Sequence, residues 1–468
     1  MYDNGKISDI LYNFYSFVTL LAYMLKKLGE LPVSHREIWR IAVPIMLGNM
    51  AQTVITFTDT AFLGHLGTVE LSASMMAGLY YFVFTTIAMG FAVGIQIFVA
   101  RRYGEGRFGQ IGNVFFHGVL FVLALGILLF SMLFCLSGML LPHFIQSDQI
   151  LSSAFEYLKY RQFGIFFVVF NYLFRSFFVG ISHTNAITYS TIIMAVVNIF
   201  LDYGLIFGNF GFPDMGVGGA AVASLSAEIC AFTFFWVYTW LTVPKNYGLF
   251  VRHRTDFRLL GNILGVAFPS MLQRLFSFGA WFVFFVLIEK MGETAIGVSS
   301  LVRSVYMVLI IPGFAFAATA NTLTSRLIGE GNGGKVIPVL WKISFNSVFC
   351  SLLPVLLVIF FPTAIVRIFT EDVSLVRSAI PVINVIAVAT MVSAVSMLFF
   401  EAVSGTGNTL MAMLLEIGVL VLYVLYIYFT SRYLEIQWVW AAEWVYNVLI
   451  GLIAYGYIRN ADWRRKKL

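Results

Sequence analysis

"RRYGEGR" (101–107) and "RLIGEG" (326–331) each place an arginine three residues before Gly-Glu-Gly. Arg101 falls on Arg326, and Gly104-Glu105-Gly106 on Gly329-Glu330-Gly331, at an offset of 225. Taken alone, each is a tight turn that uses glycine's freedom. The same offset, however, keeps working outward from these loops. Pro44 falls on Pro269, Met46 on Met271, Leu47 on Leu272, Gly67 on Gly292 and Tyr81 on Tyr306. Phe91-Ala92 falls on Phe316-Ala317, Gly180 on Gly405 and Thr184 on Thr409. One register held over some 140 residues, across loops, is an internal repeat rather than a coincidence.

Composition says what is repeated. The chain has 468 residues, 60% hydrophobic and 11% charged, against roughly 25% charged in a soluble domain. Twelve apolar runs are long enough to cross a bilayer: 38–62, 72–99, 113–140, 158–181, 185–208, 216–242, 260–288, 295–320, 337–361, 377–403, 409–430 and 437–459. Long continuous runs argue against a membrane barrel, whose strands alternate. Six spans per period is an even number, so both halves start on the same side. This is a parallel repeat about an axis along the membrane normal, an arrangement found in transporters. The expected fold is an all-α integral membrane protein of two six-helix bundles. Its parts are an N-terminal segment (1–36), an N-lobe (37–243), a linker (244–259), a C-lobe (260–459) and a basic tail (460–468). The apolar run 10–25 is short for a span and lacks signal-peptide flanks, and reads as an interfacial helix or as translated upstream sequence ahead of a start at Met24.

Charge sets the topology. Threaded from a cytoplasmic N-terminus, twenty-one Lys and Arg fall inside, Arg175 among them, and six outside, Arg161 among them. That is the positive-inside pattern. It places both termini in the cytoplasm of a multi-pass protein of the plasma membrane, and it accounts for the net charge of +6 without nucleic acid. Cys135, Cys230 and Cys350 lie in separate apolar runs, and the six histidines do not cluster, so no metal-ligand spacing occurs. "GEGNGGKV" (329–336) imitates a Walker A loop, but Val336 stands where Ser or Thr would hold magnesium and no strand precedes it. A nucleotide partner is not expected.

The polar residues inside the spans carry the chemistry. "VVNIFLDYGLIFG" (196–208) is hydrocarbon apart from Asn198 and Asp202, which share a helix face at i and i+4. A charge at a span's centre costs about 2.5–3.5 kcal/mol on insertion scales and usually faces an interior. Asp202 and Asp59, in "AQTVITFTDTAFLGHLG" (51–67), both fall in the outer part of the first bundle. At offset 225, Asp59 maps onto Phe284, Asn198 onto Tyr423 and Asp202 onto Ile427, so the second half has no copy of the set. Two acids and an amide at one depth suit a proton or a sodium ion. Sodium needs several oxygens, whereas a proton needs one carboxyl that burial and a like-charged neighbour keep protonated. Gln52, Glu228, Gln273, Arg274 and Glu401 are further intramembrane polar residues for substrate contact or pairing, as are Arg303 and Glu416.

"PIMLGNMAQTVITFTDTAFLGHLG", "RRYGEGR", "VGISHTN…VVNIFLDYGLIFG", "GVGGAAVAS" and "AVSGTGNT", in this order, resemble the multidrug and toxic compound extrusion (MATE) transporters, in the branch of the DNA-damage-inducible F proteins. The resemblance runs from about residue 38 to 459. It implies a V-shaped pair of lobes exporting drug-like, often cationic, compounds against inward proton or sodium flow, with no other cofactor. The family's N-lobe ion site matches Asp59, Asn198 and Asp202, its helix-6 hydroxyl matches Ser224, and its bending proline in helix 1 matches Pro44. One departure is that some branches use a glutamate within helix 7, where this chain has Gln273, Arg274 and Ser277. The expected function is a monomeric efflux antiporter for small organic molecules, in contact with lipid. A flippase for lipid-linked oligosaccharides is the alternative, but it would carry a more basic cavity than Arg274 and Arg303 supply. A membrane-embedded enzyme would need a catalytic cluster, and none is found.

Overall fold

The computed structural model describes residues 32–251 and 253–463. The apolar run 10–25, Arg252 and the tail from 464 lie outside the described residues. The first helix, α1 (His35–Leu66), begins at a cap written in the sequence, with Ser34 Oγ accepting the Glu37 amide at 3.1 Å. The N-lobe continues through α2 (Thr68–Gly104), α3 (Phe108–Phe144), α4 (Asp148–Arg161), α5 (Gly164–Gly180), α6 (Asn185–Phe207) and α7 (Gly216–Thr242). The C-lobe comprises α8 (Phe257–Glu289), α9 (Glu293–Leu309), α10 (Ile311–Gly329), α11 (Val336–Phe360), α12 (Pro362–Arg367), α13 (Val373–Gly405), α14 (Thr409–Tyr433), α15 (Ile436–Trp440) and α16 (Ala442–Asn460). α8 therefore starts at Phe257, three residues inside the expected linker.

Ten of the expected spans are helices of sufficient length and apolarity, and the other two are bent pairs. α4 and α5 meet at 54°, and α9 and α10 at 46°. The second break has a local cause. Pro312, near the start of α10, has no N–H to continue the ladder.

The repeat is visible in individual bonds. Pro44 and Pro269 lie inside α1 and α8. Each removes an intrahelical donor, and a threonine of the same lobe supplies hydroxyls nearby. Thr184 Oγ1 lies 3.1 Å from both the Arg40 and Ile41 carbonyls, and Thr409 Oγ1 donates to the Val266 carbonyl at 2.6 Å. Thr184 to Ile41 and Thr409 to Val266 are one bond, 225 residues apart.

The lobes meet around a pseudo-two-fold axis. Gln96 on α2 and its counterpart Asn321 on α10 come within 3.4 Å of each other, which related residues do only near the axis. A side chain on Gly104 would strike the Arg326 carbonyl, and one on Gly329 would strike the Arg101 carbonyl. Only glycine lets the two backbones pass this closely. The same basic-loop end is tied by Glu37 to Arg326, by Trp39 Nε1 to Asn346 Oδ1 (3.0 Å), and by Ser325 Oγ to the Ile97 carbonyl (2.8 Å). Beyond Gln96 and Met46, towards the outer ends, no hydrogen bond joins the lobes among the described residues. The closed end is thus the one with the basic loops.

Candidate functional site

The outer half of α1 is striped. Asn49, Gln52, Thr53, Thr56, Asp59 and Thr60 recur at helical spacing on one face, while Met50, Val54 and Phe57 are exposed on another. A polar stripe on a membrane helix faces water or protein, not lipid. α6 packs along α1 and brings Asn198 and Asp202, 1% and 0% exposed, into reach of Asp59. The three residues expected to act together are therefore together. Asp59 Oδ1, both polar atoms of Asn198 and both carboxylate oxygens of Asp202 are buried and make no hydrogen bond. A buried polar atom left without a partner costs about 1–3 kcal/mol, so five in one place, on side chains that lie against one another, mark a candidate site for a proton or an ion between them. Oxygen donors of this kind fit a proton or a hard cation such as sodium.

A second polar unit sits beside this site. Arg161, the last residue of α4, forms a two-armed ion pair with Glu228 of α7, at 2.6 and 2.8 Å. The guanidinium lies 4.1 Å over the Tyr81 ring, and Asn171 Nδ2 donates to the Glu228 carbonyl at 3.0 Å. Gly164, just past the α4–α5 break, faces Arg161, Glu228 and Tyr81 closely enough that any Cβ would collide with the pair. Arg161 also acts electrostatically on Asp59, and Tyr157 is near both aspartates. Below them, Arg175 on α5 donates to Asn49 Oδ1 at 2.6 Å.

Two sequence expectations need correction here. Arg161 is not an outer-loop charge and Arg175 is not an inner-loop charge. Both point into the N-lobe, so Arg274 and Arg303 are not the only arginines well inside. Counting along the chain shows height in a helix but not the direction of a side chain, and the α4–α5 bend turns Arg161 inward. Charge without an obvious loop was the available signal, since Arg175 lies within the run 158–181.

The remaining candidates disperse. Ser224 is half-buried on α7 and makes no hydrogen bond to Asp59, Asn198 or Asp202 among the described residues. Gln52 is exposed on the polar stripe. In the C-lobe, Arg274 pairs with Glu401 at 3.1 Å, and Asn321 Nδ2 also donates to Glu401. Gln273 lies against Glu416, whose Oε1 accepts from Ser277 (2.6 Å) and Tyr446 (3.0 Å). Arg303 rests 5.3 Å over the Phe285 ring.

With this geometry in hand, comparison with known proteins is informative. A sequence profile described as MatE matches residues 44–204 and again 269–429, two blocks 225 apart. A probable multidrug resistance protein NorM from Thermotoga maritima is 28% identical over 397 residues, covering 82% of this chain and 83% of its own length. Among solved structures, a MATE in complex with MaL6 superposes with a TM-score of 0.84 at 23% identity, covering 90% of this chain and 95% of that one. An outward-facing multidrug resistance MATE transporter of the MOP superfamily gives 0.84 at 22% identity, covering 92% and 96%. These likenesses show the fold.

Proposed function

Because the chain belongs to the MatE family, we propose that it is a multi-pass membrane antiporter that exports small amphipathic organic compounds, cations among them, by alternating access. The observation that carries the coupling assignment is the group of orphaned polar atoms on Asp59, Asn198 and Asp202, present in one lobe only. The proposed coupling ion is the proton. Two neighbouring carboxyls in a low-dielectric site share one proton readily and titrate as a pair. Their protonation removes charge from α1 and α6, and α1, weakened at Pro44, bends and reshapes the N-lobe cavity so that substrate leaves outward. Glu37–Arg326 and the bonds around it would then be the contacts that break when the basic-loop end opens. On the same reading the protein is a monomer in contact with lipid in a bacterial or archaeal inner membrane, with both termini cytoplasmic; the Lys and Arg distribution supports that orientation of the termini.

The deciding experiment is efflux from proteoliposomes under a pH gradient without sodium. Transport under these conditions is the expected outcome. If transport is absent there and returns with an inward sodium gradient at equal pH, sodium is the coupling ion, with the Asn198 oxygen as its neutral ligand.

A further inference from the structure

Arg161 and Arg274 each have a carboxylate partner, but Arg175 has none. Among the described residues no carboxylate lies within ion-pair reach of it, and Tyr172 is the titratable neighbour that acts on it. Its one hydrogen bond runs from Nη2 to Asn49 Oδ1, out of five N–H donors in a guanidinium. The side chain is half-buried, and none of its nitrogens is among the sealed, unpartnered atoms of the interior. α1 packs chiefly on α6 and α10, and α5 on α2, α3 and α7. The Arg175–Asn49 bond therefore joins two helices that are not each other's main packing partners. Asn49 is also the lowest residue of the polar stripe that climbs to Asp59, ten residues or roughly 15 Å higher at about 1.5 Å per residue. This cation of the N-lobe interior thus sits at the foot of the polar stripe, well separated from the acids at its top.

We propose that Arg175, together with Asn49, is an anion-binding subsite of the N-lobe cavity, and that the exported compounds include amphipaths bearing a carboxylate, sulfonate or phosphate group. A planar guanidinium fork matches paired oxygens of this kind, and the apolar and threonine surfaces above it take the rest of the molecule. The inference rests on the efflux reading but not on the identity of the coupling ion.

The test compares carboxyfluorescein, an organic anion, with ethidium, a cation, as export probes for the full chain in proteoliposomes. The quantity read is the ratio of anion to cation kcat/KM. Arg175→Gln is expected to lower that ratio about tenfold or more, and Arg175→Lys to restore part of it. Such a change is equivalent to about 1.4 kcal/mol. Asn49→Asp sets a carboxylate against the guanidinium and is expected to give the same loss with the arginine retained, so the test survives if Arg175→Gln does not fold. A merely structural Arg175 would lower both probes together and leave the ratio alone. An unchanged ratio in both Arg175→Gln and Asn49→Asp overturns the subsite. Wild-type export of ethidium without carboxyfluorescein also overturns it while leaving the efflux reading standing. Export of neither brings down the efflux reading itself.

Discussion

One place in the fold occurs twice, with opposite contents. In the N-lobe it holds Asp59, Asn198 and Asp202, whose polar atoms go unpaired. In the C-lobe the equivalent positions are Phe284, Tyr423 and Ile427, 1%, 3% and 0% exposed. Phe284 stacks on Tyr423 at 6.2 Å and meets the Trp440 edge at 4.9 Å. The nearby C-lobe acid is satisfied, since Glu443 accepts from Tyr306 (2.8 Å) and Tyr423 (3.1 Å). The duplicated backbone decides where a site can be, and the side chains decide which copy has one. One lobe is plugged with aromatic rings while the other keeps charge in reserve.

The sharpest break in this comparison is expected at Arg161, whose C-lobe counterpart is Ile386. Glu228→Gln leaves the guanidinium buried without a counter-charge and should destabilise the protein by about 3–5 kcal/mol, read as unfolding in detergent. Replacing both residues, as Arg161→Ile with Glu228→Leu, makes the N-lobe resemble its partner and should recover most of that loss. Failure to recover would mean the pair does more than satisfy itself.

Next in size is the coupling site. Asp59→Asn or Asp202→Asn should cut coupled export about a hundredfold, or about 2.7 kcal/mol, with expression intact. Tyr423→Phe, at the position equivalent to Asn198, should leave export within about twofold. Equal losses in vesicles would erase the distinction between lobes.

A smaller effect separates what the lobes share from what they do not. Thr184→Val and Thr409→Val each remove a hydroxyl that donates to a proline-weakened helix, costing about 0.5–1.5 kcal/mol apiece. Thermal unfolding should show similar losses for both. Export should fall only for Thr184→Val, because only α1 carries a coupling acid.

The smallest effect lies at a helix start. Ser147 caps α4 and its counterpart Asp372 caps α13. Hydrogen bonds from the Ser374 hydroxyl and amide hold the Asp372 carboxyl below its ordinary value. A depressed carboxylate stabilises the folded state above the unfolded value, about 3.9, and that contribution is lost as pH falls through the lower folded value. Acidification should therefore lower the amide-exchange protection factors, taken against the intrinsic rate at each pH, at Ser374 and Leu375 but not at Ile150, which is capped by a hydroxyl that does not titrate.

Much of this was legible before any coordinates. Twelve apolar runs and one offset specify the two bundles; Asn198 and Asp202 stand out because hydrocarbon surrounds them, and Asp59 because it is the acid at matching depth in the first span. The pairings were not legible. Arg161 meets Glu228 across 67 residues and Arg274 meets Glu401 across 127, and periodicity carries no information about partners so distant. The bends were also hidden from the repeat. α4–α5 is broken where its mate α13 is continuous, and α9–α10 is broken where its mate α2 is continuous. Pro312 falls opposite Ile87, so a single residue explains one difference. The other has no proline, and Gly164 is needed there to make room for the ion pair.

The crossing of Gly104 with Arg326 and of Gly329 with Arg101 reads the same from either side. Contacts that exchange in this way are what a two-fold interface between identical chains produces. A half-length ancestor ending near the present linker could have met a second copy of itself at these glycines, forming a homodimer with two equal sites. Fusing the copies into one chain would have freed each half to change alone, so that acids could persist in one and aromatic packing take over the other. An asymmetric machine would then descend from a symmetric pair, and the seam that joined the pair is still marked by two glycines where the backbones cross.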